Sequence, residues 1–320
     1  MRGAIVVEPL IRRAVIRGLL AGFVVHGALV TLAVRAAAQS PAPSRTTIVM
    51  LGTGTPVPDP DRMGPGVAIV VDSVAYLFDA GSGIVRRAAA AARDGLPALR
   101  VPKLGILFLT HLHSDHTLGL NDVMFTPWIQ GRVAPLELYG PVGTRALVAG
   151  ITSGNALDIR ERVNSSGGPS RTGYNATVHE ITEGEVYRDA RIIVRAFAVP
   201  HSHWKSAFGY RIATPDRVIV ISGDARANPA IARECNGCDV LIHEVYSDSG
   251  FRTIPVARQA YHAQAHTSAT QLGDIATAAR PKLLVLHHQL FFGVGDDVLI
   301  AEVRSRFGGP VVSARDLQRF

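Results

Sequence analysis

The segment that most constrains this chain is Thr110-His111-Leu112-His113-Ser114-Asp115-His116, directly after the apolar run Leu104–Leu109. The run reads as a β-strand, which puts the polar cluster at a strand end. Along an extended end alternate residues point the same way, so His111 and His113 can share one metal ion. The chain then turns, and Asp115 and His116 can face a second ion beside the first. Imidazole and carboxylate suit zinc, while ligand type alone leaves iron and manganese open. A buried histidine cluster without metal would leave several polar nitrogens unpaired, at real cost.

The 320 residues are 47% hydrophobic and 18% charged, enough for one large α/β domain or at most two small ones. From Thr46 onward, strands are expected at Ile48–Leu51, Val67–Val71, Ala75–Asp79, Leu104–Leu109, Leu136–Tyr139, Val178–Ile181, Ile192–Phe197, Phe208–Ile212, Val218–Ile221, Val240–His243 and Leu283–Leu286. Helices are expected at Ile84–Arg93, Val142–Gly150, Ala230–Glu234, Ser268–Ala279 and Val298–Phe307, and a mobile loop at Ser165–Gly173. Hairpin-like strand neighbours mixed with β/α alternation predict two mixed sheets packed together with helices outside, an α/β (α+β) fold. Gly52-Thr53-Gly54 follows a strand but runs into Pro56, Pro58 and Pro60, so it cannot open the helix of a dinucleotide site.

The first residues have a different character. Arg12, Arg13 and Arg17 precede an apolar stretch, Gly18–Val34, and then Ala36-Ala37-Ala38. That order reads as an export signal over 1–38 cleaved near Ala38, with an uncleaved membrane anchor as the alternative. A linker over 39–45 follows, then the folded domain over 46–320. The net charge is +7, and without the signal's five arginines and Glu8 about +3 remains. Lysine is scarce and no basic run stands out, so the charge points to no particular partner. Cys235 and Cys238 suit a local disulfide at a helix end in an exported protein, and two thiolates alone cannot complete a zinc site.

His-x-His-x-Asp-His after a strand resembles the metallo-β-lactamase superfamily. Leu51-Gly52-Thr53-Gly54-Thr55-Pro56, Phe78-Asp79-Ala80-Gly81, Phe208-Gly209-Tyr210-Arg211-Ile212, Ser222-Gly223-Asp224 and His266-Thr267-Ser268 are similar to its ribonuclease Z-type and arylsulfatase-phosphodiesterase-like branch. The resemblance runs from about Ile48 to His288 and implies an αββα sandwich with a dimetal site at one edge of the sheets. It implies that His111, His113 and His201 hold one zinc, that Asp115, His116 and His288 hold the other, and that Asp224 bridges them. His203 competes with His201 for its place, and His287 would point away from His288. The resemblance also gives His266 proton transfer at the leaving group. Asp79 and His243-Glu244 read as groups that orient the ligand imidazoles, and His179, His262 and His26 receive no role.

Two adjacent cations imply hydrolysis, with Asp115 accepting or orienting the proton of the attacking water and His266 supplying one to the leaving oxygen. A small phosphodiester or aryl ester of phosphate or sulfate is the expected substrate, with tRNA 3′-processing as the alternative. Two features make nucleic acid the less expected partner: the Val142–Thr177 segment is too short for the family's long tRNA-gripping arm, and an exported chain would not meet tRNA precursors. Thioester hydrolysis fits the later motifs less well. Metallo-β-lactamases that cut β-lactams typically carry Cys where Asp224 stands, and a non-catalytic metal-binding module would not keep all seven ligands. The resemblance also suggests a homodimer, and no stable membrane partner once the signal is cleaved.

Overall fold

A computed structural model describes residues 44–320. The export signal over 1–38 and most of the 39–45 linker lie outside the described residues. The linker's last two residues are pinned: Ser44 Oγ donates to Asp216 (2.6 Å) and the Arg45 guanidinium to Asp72 (2.7 Å).

The chain lays down one sheet and then the other. The first holds β1 (Thr46–Gly52), β2 (Gly66–Val71), β3 (Val74–Phe78), β4 (Ile106–Phe108), β5 (Leu136–Gly140) and β6 (Ala176–Glu180), in that spatial order. The second holds β7 (Gly184–Arg188), β8 (Ile193–Ala198), β9 (Phe208–Ala213), β10 (Val218–Ile221), β11 (Val240–Tyr246), β12 (Leu283–Leu290) and β13 (Val311–Ser313), also in chain order. Each sheet starts with antiparallel neighbours joined without an intervening helix and turns parallel where helical crossovers begin, after β3 and after β10.

Side-chain alternation divides the core into layers. Ile48, Met50, Phe78 and Phe108 of the first sheet meet Tyr210, Ile212, Ile242 and Val285 of the second between the sheets. Their chain neighbours face outward. Val49, Leu51 and Leu77 pack with Ala88, Leu120 and Trp128, and Val220, Leu241 and Leu284 with Ile231, Leu272 and Val303. The result is the expected αββα sandwich.

The helix at Ile84–Arg93 and the strand at Val218–Ile221 fall where the pattern put them. Strands β7 and β13 and the helices Leu120–Ile129, Ala156–Asn164 and Val256–Ala265 escaped it. Leu120–Ile129 carries Pro127 inside, which reads as a helix breaker. β11 and β12 run on through His243-Glu244 and His287-His288-Gln289, polar residues at which an apolar-run reading stops. The Gly-rich loop at 165–173 is tethered rather than loose: Trp128 Nε1 donates to Ser170 O (2.6 Å) and buried Arg132 to Gly173 O (3.1 Å). Cys235 and Cys238 form the local disulfide at a helix end.

Candidate metal centre

The first sheet supplies its polar groups in one run. Beyond β4, Thr110 N and Oγ1 both donate to Asp79 (2.8 and 2.9 Å), and His116 Nδ1 donates to the same carboxylate (2.9 Å). The Thr110 hydroxyl has spent its proton, so it accepts from His111 Nδ1 (2.9 Å). Both imidazoles therefore turn Nε2 inward, the atom a metal ion would take. Asp79 itself sits at φ +62°, a left-handed conformation uncommon outside glycine and typical of a strained functional position.

The second sheet supplies one group at a time. His201, after β8, donates from Nδ1 to Ala265 O (2.7 Å), which again leaves Nε2 free. Asp224 follows β10 in a turn through Gly223, where a Cβ would lie 2.7 Å from Phe208 O and 3.0 Å from Thr110 Cβ. His288 is the extra residue of a bulge: Glu244 pairs with His287 and Val245 with Gln289, so His288 stands between them at φ +44°. The bulge re-aims its ring at the opposite sheet's residues. His266 ends the Val256–Ala265 helix.

These groups converge. His113 Nδ1 lies 3.0 Å from both His111 Nε2 and His201 Nε2. Asp115 Oδ2 lies 3.1 Å from His288 Nε2 and 3.5 Å from His116 Nε2. Asp224 sits between the groups, 3.4 Å from His116 Nε2, 3.5 Å from His288 Nε2 and 3.8 Å from His266 Nδ1. The ligand atoms of His111, His113 and His201, and those of Asp115, His116 and His288, each lie within 4.8 Å of one another, as do those of His111, His116 and Asp224. Buried His201 joins this cluster, while exposed His203 lies in a surface hollow beside Trp204 and Lys205.

The charge balance fits metal ions. Asp79, Asp115, Asp224 and Glu244 are all buried, and their ion-pair partners among the described residues are histidines, not Lys or Arg. Buried ionised carboxylates need a cation; burial, with Asp224 nearby, pushes the Glu244 carboxyl well up toward its neutral form, so the need falls on the aspartates. Burial holds His111 well below its usual pKa, and lowers His113 to about 4. Burial opposes charge on His116 too, but Asp224 and Asp79 outweigh it and push that imidazole well up. His116 Nε2 is nonetheless buried without a hydrogen-bond partner, as a ligand nitrogen would be.

Two expectations change here. Glu244 orients no ligand imidazole: one carboxyl oxygen accepts from Thr267 N (2.9 Å), and the other stands 3.3 Å from His266 Nδ1, so its nearest neighbour in the site is His266. His243 reaches no ligand either. Its Nδ1 donates to its neighbour's carbonyl, Glu244 O (2.5 Å), and its Nε2 has no partner, because the strand turns its side chain away from the cluster. His262, given no role, stands over the site with its ring 5.5 Å from His266. The signal was the four-residue spacing to His266, in a helix that sequence periodicity missed. A cavity of about 760 Å³ opens over the cluster, reached by Asp115, Asp224, His266 and His288 and walled by His262, Tyr261 and Phe292.

Comparison with known proteins agrees with this geometry. Residues 75–289 match the family described as Beta-lactamase superfamily domain. Ribonuclease Z of Mycobacterium marinum is 30% identical over 281 residues, covering 85% of this chain and 97% of the relative. Ribonuclease Z of Mycobacterium bovis is 30% identical over 277 residues, covering 85% and 96%. Among solved structures, the metallo-β-lactamase fold protein YhfI of Bacillus subtilis superposes with a TM-score of 0.64 at 18% identity, over 87% of this chain and all of that one. The short form of human tRNase Z gives 0.62 at 24% identity, over 86% and 98%. This chain belongs to the metallo-β-lactamase superfamily, in its ribonuclease Z-like branch, and is a metal-dependent hydrolase.

Proposed function

We propose that the chain is a dinuclear zinc phosphodiesterase of the ribonuclease Z kind, cutting RNA of the tRNA-precursor type. The observation that carries this reading is the full-length similarity to ribonuclease Z, 30% identity over 97% of the Mycobacterium marinum protein, in a chain that keeps all seven candidate ligands. It replaces the small ester as the first reading of the substrate, because none of the 30%-identical relatives described above bears the name of a small-ester hydrolase.

His111, His113 and His201 would hold one zinc, Asp115, His116 and His288 the other, with Asp224 shared. When bound, the two ions would supply Lewis acidity toward a phosphoryl oxygen and make a water more acidic. Asp115 would hold or accept a proton of the attacking water. His266, with Glu244 3.3 Å from its Nδ1, would deliver a proton to the leaving oxygen.

One observation favours a small phosphodiester or aryl ester as a second reading. The segment between β5 and β6 folds as two helices, Thr144–Gly154 and Ala156–Asn164, with Val148 and Ile159 in the first sheet's outer core rather than in an arm. The disulfide and the Arg12–Ala38 pattern support export, which also suits that reading. Assays of the zinc-loaded full chain on a tRNA precursor and on bis(p-nitrophenyl) phosphate decide between them. The proposal predicts cleavage of the precursor at one position. Turnover of the small diester with an uncut precursor would overturn it.

A further inference from the structure

The floor of the cavity above the metal centre is the polar cluster. One side carries Ile254, Tyr261, His262, Leu290 and Phe292, flat rings and apolar carbon, and Arg62, Arg258 and Gln289 also reach the cavity. Tyr261 is 45% exposed and presents its ring to solvent at the mouth. Phe292 sits at φ +50°, a costly conformation for a bulky residue. Its backbone is seated on Gly250, where a Cβ would come within 2.3 Å of Phe291 O and 3.0 Å of Phe292 Cβ. The His262 ring meets Phe292 edge to face at 4.8 Å. His262 Nδ1 is buried without a partner, so a ligand can meet this imidazole only through Nε2.

From this arrangement we infer that the Tyr261–His262–Phe292 wall is a subsite for one planar aromatic group joined to the reacting phosphoryl, either a nucleobase-bearing residue or an aryl ester. The inference rests on the hydrolase reading above. The wall and the candidate ligands Asp115, Asp224 and His288 line one cavity, so a ring on the wall and a phosphoryl at the floor can belong to one ligand. A volume of about 760 Å³ holds a nucleoside or a substituted phenyl ring together with its phosphate. Rings accept any base or aryl face by stacking, and His262 Nε2 gives this wall a polar contact.

The test measures binding of three phosphates to the zinc-loaded full chain by calorimetry: methyl phosphate, phenyl phosphate and uridine 5′-monophosphate. Zinc content is determined on the same samples. The subsite predicts that the two planar ligands bind about tenfold tighter than methyl phosphate, a stacking-sized advantage. Tyr261→Ala, which truncates a half-exposed ring without opening the core, and Phe292→Leu should each bring that ratio toward one. A further advantage of the nucleotide over phenyl phosphate assigns the wall to a nucleobase; equal binding of those two assigns it to aryl groups generally. Equal affinity for all three ligands on a zinc-bearing chain overturns the subsite and leaves the hydrolase reading standing. A chain that takes up no zinc overturns that reading, and the subsite with it.

Discussion

The two sheets build the metal centre in opposite ways. The first delivers His111, His113, Asp115 and His116 from six consecutive residues and holds them with one buried carboxylate, Asp79, which takes three hydrogen bonds from Thr110 and His116. The second delivers His201, Asp224, His266 and His288 from four separate places, each aimed by its own local device: a backbone carbonyl, a glycine turn, a helix end and a bulge. In the first sheet one strand end fixes several groups at once. In the second, strand register fixes them, so the chemistry depends on long-range pairing. The second sheet therefore holds the groups that join the two halves.

Asp224 is the sharpest place to break that arrangement, because it touches both halves. Asp224→Ala should lower turnover on the order of 10³-fold or more and reduce zinc content, measured by steady-state kinetics and elemental analysis. Retained zinc with near-normal turnover would show that the halves do not share this group. The Glu244–His266 pair comes next. His266→Ala should lower kcat by about 10²-fold while zinc content holds, since the pair serves proton transfer rather than metal retention. Loss of zinc in that variant would move His266 among the ligands.

On the first sheet, Asp79→Asn weakens the acceptor of three hydrogen bonds and should lower zinc affinity by about 10- to 100-fold in a chelator competition. An unchanged affinity would mean that the contiguous run holds itself. The smallest effect concerns buried His243. Burial lowers its pKa to about 4 against an ordinary 6.5, so the unfolded chain binds the proton more readily. The stability it contributes is complete above about pH 6.5 and is lost as pH falls toward 4, by roughly 3 kcal/mol at most. Urea unfolding at pH 7.5 and pH 4 should show a shallower acid loss for His243→Phe than for the parent chain; identical losses would remove His243 from the account.

The same contrast explains what could be read in the sequence. The first sheet's cluster was legible because its ligands are contiguous and strand periodicity alone aims them. Two packed mixed sheets followed from hairpin-like strand neighbours mixed with β/α alternation, and the αββα sandwich from the family resemblance. His201, Asp224 and His288 needed a family pattern, since nothing local distinguishes a turn aspartate from a shared ligand, or His288 from His287 before the bulge is seen. Glu244 was placed at the right strand end but given the wrong neighbour, because its partner His266 lies across a connection of two helices. His262 was named without a role, and Phe292 was not singled out. One sits on a helix that the sequence reading missed, and the other takes a backbone conformation that is uncommon for a bulky residue.

The most direct test of the central claim is elemental analysis of the full chain after zinc loading and removal of free metal. The account predicts about two zinc ions per chain in the parent protein, because two three-residue ligand groups flank Asp224. A folded chain that retains no zinc, and hydrolyses its substrates equally well in the presence of a strong chelator, would contradict it.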